Sequence, residues 1–216
     1  MTVCYPLTVQ ADYTELLYSL RSIERFLPDP YEVIIIGIEL PEWITGVTQI
    51  SLPDVKGRKQ LSIKTKIAAA LAYSDEILFM NDDVYLLEPA TTFPYYQHGS
   101  LKSVGEGGAR PLMTELQSMG KATKNFDGHY PLIYKRDFLD AMSNFTADTI
   151  IKSAYCNYLS IEGIEVADNK LINQKKPEDI MKFIKDKSAF STGPHSLPAT
   201  LPILQQLYPT PSRFEI

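Results

Sequence analysis

Short apolar runs alternate with amphipathic stretches through the first part of this chain. Residues 2–9 form an apolar, β-rich run that predicts a strand. Asp12 and Glu15 have the spacing of a capping box, which predicts a helix start. Leu16, Leu17, Leu20, Ile23, Phe26 and Leu27 then recur at helical spacing and give one apolar face. Pro28 and Pro30 end that helix. Residues 31–38 predict a second strand. Its Val33-Ile34-Ile35-Ile36 is apolar at every position, the pattern of a parallel strand covered on both faces. Strand, helix and strand in this order make a βαβ unit with a right-handed crossover.

The alternation continues. Residues 48–52 predict a short third strand, and Lys56-Gly57-Arg58-Lys59 a basic turn. Ser62 is the expected cap of a second helix reaching about residue 73, with Ile63, Ile67, Ala70 and Leu71 on its buried face. Ile77-Leu78-Phe79-Met80 has the length and composition of a buried strand. It stops at Asn81-Asp82-Asp83 and resumes as Val84-Tyr85-Leu86-Leu87. The fold expected is α/β: a Rossmann-like, doubly wound, mostly parallel sheet flanked by helices.

After Pro89 the character changes. Phe93-Pro94-Tyr95-Tyr96-Gln97-His98-Gly99-Ser100 is aromatic and loop-like. Gly105-Glu106-Gly107-Gly108 lacks the Gly-Lys-Ser or Gly-Lys-Thr ending of a phosphate loop. Residues 112–119, 138–142 and 149–159 read as helices, and residues 165–167 as a last short strand. Pro177 opens a helix to about residue 187. The tail from residue 188 is Pro-rich with two short helical patches, so the C-terminal part is expected to be helical. No repeat, low-complexity segment or domain boundary is visible. One unit over residues 1–216 is the expectation, with residues 1–90 and 91–216 as its two halves.

Composition narrows the class. An apolar fraction of 44% and a charged fraction of 22% suit a globular domain with a sizeable core. A net charge of −5 gives no overall pull toward nucleic acid or anionic membrane. It argues against sequence-specific DNA binding. Two cysteines, Cys4 and Cys156, make neither a disulfide framework nor a zinc pair. No signal peptide is visible, and no run approaches the roughly 18 apolar residues of a membrane span. The expected location is the cytoplasm, which leaves Asn144-Phe145-Thr146 a chance sequon.

The chemistry-bearing residues fall into three groups. Asp82 and Asp83 end a buried strand, and ligands in open α/β sheets bind beyond the carboxyl ends of strands. Two such carboxylates need a partner, and a hard divalent cation is the usual one. A turn that satisfies local backbone groups is the plainer reading. Arg58, Lys59, Lys64 and Lys66 surround the start of the second helix, where a diphosphate would also meet unpaired N–H groups; a solvated helix face is the alternative. The three histidines, His98, His129 and His195, all lie in predicted loops. His129 is the candidate general base, Arg136 a candidate phosphate ligand, and His195 a late metal or phosphate ligand.

Four stretches resemble the Stealth-type sugar-phosphate transferases, which include bacterial capsule polymerases and the lysosomal-enzyme GlcNAc-phosphotransferase. Glu15-Leu16-Leu17-Tyr18-Ser19-Leu20-Arg21-Ser22-Ile23 is similar to the family's E-L-x-Y-S-L-R-S-I stretch. Asn81-Asp82-Asp83 is similar to its Asn-Asp-Asp segment. Gly128-His129-Tyr130-Pro131, with Arg136 in step, looks like its His-x-Pro region, and Tyr208-Pro209-Thr210-Pro211-Ser212-Arg213-Phe214-Glu215 like its closing segment. The family's strand ending in Val-Asp-Gly is absent; here the strand ends Thr8-Val9-Gln10-Ala11-Asp12. Its long insertions are missing too.

The resemblance implies a GT-A-like, nucleotide-sugar-binding fold, with residues 1–90 as the nucleotide half and 91–216 as the acceptor half. It implies Mn²⁺ or Mg²⁺ at Asp82 and Asp83, catalysis by His129 and phosphate contact by Arg136. Asn81, Arg58, Lys64, Lys66 and His195 are the further residues expected at the donor. The missing segments favour transfer of a sugar alone, from a UDP-sugar to a hydroxyl of a glycan or modified DNA base, with Tyr95-Tyr96 touching the acceptor. Transfer of sugar-1-phosphate is one alternative. A non-catalytic module binding a nucleotide or glycan is another.

Overall fold

In the computed structural model the chain runs β1 (Thr2–Pro6), α1 (Thr14–Phe26), β2 (Glu32–Ile36), β3 (Thr48–Ile50), α2 (Lys59–Tyr73), β4 (Glu76–Phe79) and β5 (Val84–Leu86). Then follow β6 (Tyr96–Gln97), a 3-10 turn, α3 (Glu106–Ser118), β7 (Leu132–Lys135), α4 (Phe138–Ser143) and α5 (Ile151–Tyr158). The last elements are β8 (Ile164–Glu165), β9 (Lys170–Leu171), α6 (Pro177–Ile184), β10 (Ala189–Thr192) and α7 (Leu197–Leu207). The structure describes residues 1–8, 12–37, 39–104, 106–145, 148–193 and 195–216, without the side chains of 106–108. The expected strand ends at Val9 and Ile38, the glycine stretch at Gly105, Thr146 of the sequon and Pro194 lie outside the described residues.

The central sheet has five strands in the order β3-β2-β1-β4-β7. β1 pairs in parallel with β2 and β4, and β2 with β3. β7 alone is antiparallel, with Phe79 opposite Leu132 and Glu76 opposite Lys135. The expected mostly parallel sheet flanked by helices is therefore present.

Period-two alternation divides the strands between two cores. Cys4, Ile34, Ile36, Ile77 and Phe79 face α2, α3 and α5. Val3, Tyr5, Val33, Ile35, Leu78 and Met80 face Leu16, Leu20 and Ile23 of α1. Each of these large apolar side chains contributes about 1.5–3 kcal/mol by leaving water. A third cluster joins Tyr85 and Phe190 to Ile180 and Ile184 of α6 and Ile203 and Leu204 of α7.

Polar residues of α1 fix the chain after β4. The Ser19 hydroxyl donates to the Val84 carbonyl at 2.6 Å, and the Ser22 hydroxyl accepts from the Leu86 N–H at 3.1 Å. β10 pairs with the other edge of β5. Buried backbone groups of β5 are thus satisfied by a strand on one side and by helix hydroxyls on the other.

Several expectations change. Asp12 Oδ1 accepts from the Thr14 N–H and hydroxyl, but Glu15 does not close a capping box: its Oε1 accepts from the Thr192 hydroxyl at 2.5 Å. Burial first, then the charges of Asp83 and Asp82, push the Glu15 carboxyl up to about 7 from its ordinary 4.5. The second helix starts at Lys59, before Ser62, because the Ser62 hydroxyl is turned back to Val55 and Arg58. The Pro-rich tail contains β10, a strand hidden by its polar ending Ser191-Thr192. Its far end returns to α1, where Arg21 grips the Glu215 carboxylate through Nε at 2.9 Å and Nη2 at 2.6 Å. Two segments of the family resemblance thereby meet.

Breaking this pair should be costly, because Arg21 and Glu215 side chains are only 16% and 9% exposed. Glu215→Ala is expected to lower the unfolding free energy by about 3 kcal/mol in urea titrations. Burial opposes ionisation of Glu215, but Arg21 and Ser212 hold its carboxyl below the usual 4.5. The stability it contributes is present above that pH and lost on acidification, so wild type and variant should converge in acid.

Glu15 works in the opposite direction. Between its ordinary 4.5 and about 7 the folded chain keeps a proton that the unfolded chain has released. Stability should fall as pH rises through that window, by no more than about 1.4 kcal/mol per pH unit. Thermal melts across the window should show the fall in wild type and its absence in Glu15→Gln.

Candidate functional site

The site begins where β4 leaves the sheet. The Met80 N–H still bonds the Cys4 carbonyl at 2.9 Å, and the Val84 N–H closes a turn onto the Asn81 carbonyl at 3.2 Å. Asp82 and Asp83 occupy that turn. The Asp83 carbonyl is held by the Thr192 N–H at 3.1 Å, which anchors it to β10. The Asp83 side chain is 16% exposed. Its Oδ2 accepts from the Ser191 hydroxyl at 3.0 Å and from Lys170 Nζ at 3.4 Å. Its Oδ1 is buried without a hydrogen-bond partner. A buried carboxylate oxygen without a partner carries a desolvation cost that a cation removes.

A cleft of about 750 Å³ opens over this turn. Asn81, Asp82 and Asp83 line it at the strand end. Lys56, Arg58 and Lys59 line it on the side of α2, with the buried ammonium of Lys66 beneath them. Asp127, Gly128, His129, Lys152 and Lys170 form the opposite wall, and Phe79, Tyr134, Ile151 and Asp54 are also among the lining residues.

Register explains the presence of His129. β7 runs antiparallel to β4 with Leu132 opposite Phe79, so the residues just before β7 arrive beside the residues just after β4. His129 is then fixed by Asp168. The His129 N–H reaches Asp168 Oδ1 at 3.2 Å, and Nδ1 lies 3.1 Å from Oδ2. Burial opposes the Asp168 charge, but the side-chain and backbone hydrogen bonds from His129, and that of Asn169, hold its carboxyl far below the usual range. A carboxylate against Nδ1 assigns the proton to that nitrogen. Nε2 is left as the acceptor, and Lys170 Nζ lies 3.2 Å from it. Lys170 therefore bridges His129 and Asp83.

The same register removes Arg136. It follows the end of β7 and so lies at the opposite end of β4, where it pairs with Asp75 in solvent. The structure does not bring it to the cleft. Lys64 and Lys66 are two positions apart on α2 and point to different sides. Lys64 Nζ donates to the Met142 carbonyl at 3.1 Å and lies outside the cleft. Lys66 is 2% exposed and ties the Leu7 carbonyl to Asp54 at 2.7 Å each. Arg58 remains at the rim, 3.6 Å from Asp148. His195 is exposed and does not line the cleft. The Tyr95 hydroxyl donates to the Ile133 carbonyl. Tyr96 packs on Tyr130 at a ring distance of 4.4 Å, beside a separate hollow of about 190 Å³.

Sequence reasoning missed Asp168, Lys170, Lys152, Ser191 and Glu15. Lys152 gave no clear signal: its helix mixes polar and apolar residues, and only the structure shows Ile151 to Asn157 all buried. Asp168 and Lys170 had none, since a loop residue and the first residue of a two-residue strand show no periodicity and reach His129 only through tertiary packing.

The donor set fits a hard divalent cation shared with a ligand. Among the described residues no group of three or more His, Cys, Asp or Glu side chains is placed to hold a metal alone. Magnesium-type sites commonly use one or two carboxylates and complete their shell with substrate phosphates and water. Asp82 and Asp83, with the partnerless Oδ1, match that arrangement.

No protein-family model matches the chain. No curated protein matches it either. Among solved structures it is similar to the apo-form glycosyltransferase GlyE of Streptococcus pneumoniae TIGR4, at 11% identity and a TM-score of 0.40. That alignment covers 78% of this chain and 45% of the other, so the chain spans under half the length of that protein.

Proposed function

We propose that this cleft binds a nucleotide sugar and transfers its sugar to an acceptor hydroxyl. One observation carries the reading. The acidic turn after β4, the basic start of α2 and a carboxylate-held histidine line a single cleft. Its volume of about 750 Å³ is that of a small-molecule site. An anionic diphosphate, a divalent cation and a reacting hydroxyl each meet a suitable group there.

Arg58 and Lys59 would meet the diphosphate together with the N–H groups that open α2. Asp82 and Asp83 would hold Mn²⁺ or Mg²⁺ against it. Such an ion, when bound, offsets charge on the leaving group. His129 would take the acceptor proton on Nε2. Asp168 keeps the ring in the tautomer that leaves Nε2 available, and it stabilises the imidazolium that forms. Lys170 occupies Nε2 in the absence of an acceptor, so an acceptor hydroxyl has to replace that contact.

A panel of nucleotide sugars, UDP-sugars first, assayed with Mn²⁺ by mass spectrometry of the released nucleotide, tests this. Release of nucleoside diphosphate is expected. Nucleoside monophosphate would instead make the protein a sugar-phosphate transferase. No release and no metal-dependent binding would leave a non-catalytic module. His129→Ala should lower turnover by about 10²–10⁴-fold while sparing nucleotide binding. Asp83→Asn should remove the metal dependence of nucleotide binding. Wild-type turnover in the first variant, or unchanged metal dependence in the second, contradicts the role assigned.

A further inference from the structure

Lys152 is a buried cation in the cleft wall that the proposed chemistry does not use. It lies in the first turn of α5 and is 9% exposed. Its Nζ donates to the Gly128 carbonyl at 2.8 Å and to the Tyr130 carbonyl at 3.0 Å. These are the residues on either side of His129. The carbonyl between them, that of His129, accepts from Asn169 Nδ2 at 2.9 Å. Three consecutive carbonyls are thus held by side chains from two other segments. Asp168 takes the His129 N–H and ring, so the residue is fixed at its backbone and its side chain.

Packing closes the remaining freedom. A Cβ at position 128 would lie 1.7 Å from His98 Nε2, so glycine alone fits against that ring. The His98 ring stacks on Tyr130 at 6.1 Å and is held through Nδ1 by the Val166 carbonyl at 2.8 Å. Burying an ammonium costs several kcal/mol, and burial pushes the Lys152 ammonium below its ordinary 10.5. Here that cost accompanies control of one short loop, and a catalytic base gains most from such control because small misplacements are expensive.

We propose that Lys152 is a positioning residue for His129, holding the carbonyls on both sides of it so that Nε2 stays aimed into the cleft. The inference rests on the base role assigned to His129. It predicts a defect in turnover rather than in donor affinity. Lys152 Nζ lies 5.7 Å from the Phe79 ring, and methionine, unbranched and of similar length, can fill the same space without a charge.

The test uses Lys152→Met, which removes both donors, and Lys152→Gln, whose shorter amide reaches one carbonyl. In Lys152→Met, kcat should fall by about 10–100-fold, with donor KM changed less than about threefold. Lys152→Gln should fall between Lys152→Met and wild type. Ring-nitrogen NMR of His129 should show one Nδ1–H tautomer in wild type and a mixture in Lys152→Met. Wild-type kcat in a folded Lys152→Met overturns the proposal. So does a loss confined to donor KM, which would make Lys152 a ligand of the anionic donor. If Lys152→Met does not fold, Lys152→Gln decides: reduced kcat at unchanged KM supports the clamp, and wild-type kcat overturns it. Wild-type turnover in His129→Ala would remove the base role, while the His129 tautomer in Lys152→Met would still report whether the clamp exists.

Discussion

The ammonium of Lys170, shared between Asp83 Oδ2 at 3.4 Å and His129 Nε2 at 3.2 Å, is the contact on which the cleft depends. It joins a turn of the parallel sheet to a loop entering the antiparallel edge strand. Neither partner reaches the other alone. Asp83 comes from the end of β4 and His129 from the start of β7, and Lys170 opens β9, which lies against β10. β10 in turn holds the Asp83 carbonyl through Thr192 and its carboxylate through Ser191. The small second sheet therefore carries the groups that hold the acidic turn.

Two other lysines repeat the device. Lys66 ties the Leu7 carbonyl to Asp54, and Lys152 ties the two peptide groups around His129. Such ammoniums are expensive to bury and rarely improve stability over apolar residues. Each one here fixes a loop at the rim or wall of the same cleft. The distribution suits preorganisation: loops carry the candidate site groups, and buried charges from helices hold the loops.

The parallel core was legible in the sequence because it rests on short-range pattern. Val33 to Ile36 is apolar throughout, and it became a central strand covered on both sides. The acidic turn was legible for the same reason, since an apolar run that stops at Asn81-Asp82-Asp83 marks the end of a buried strand. Arg136 is placed by longer-range pairing instead. It lies seven positions from His129, but the direction of β7 puts it at the far end of the sheet. Strand direction is set by pairing partners remote in sequence. Lys64 and Lys66 show the helical version, where two positions along α2 separate a carbonyl of α4 from the cleft. Asp168 and Ser191 belong to segments whose only regularity is what they touch.

The proposed transfer requires the acidic turn and His129 to serve one ligand. Paramagnetic broadening measures this directly. Mn²⁺ added with a nucleoside diphosphate should broaden the resonances of residues 81–83 and the ring signals of His129 together. Those of His195 and Arg136 should stay sharp. Broadening of residues 81–83 without His129, or broadening centred elsewhere, would contradict a shared site and separate the metal from the base.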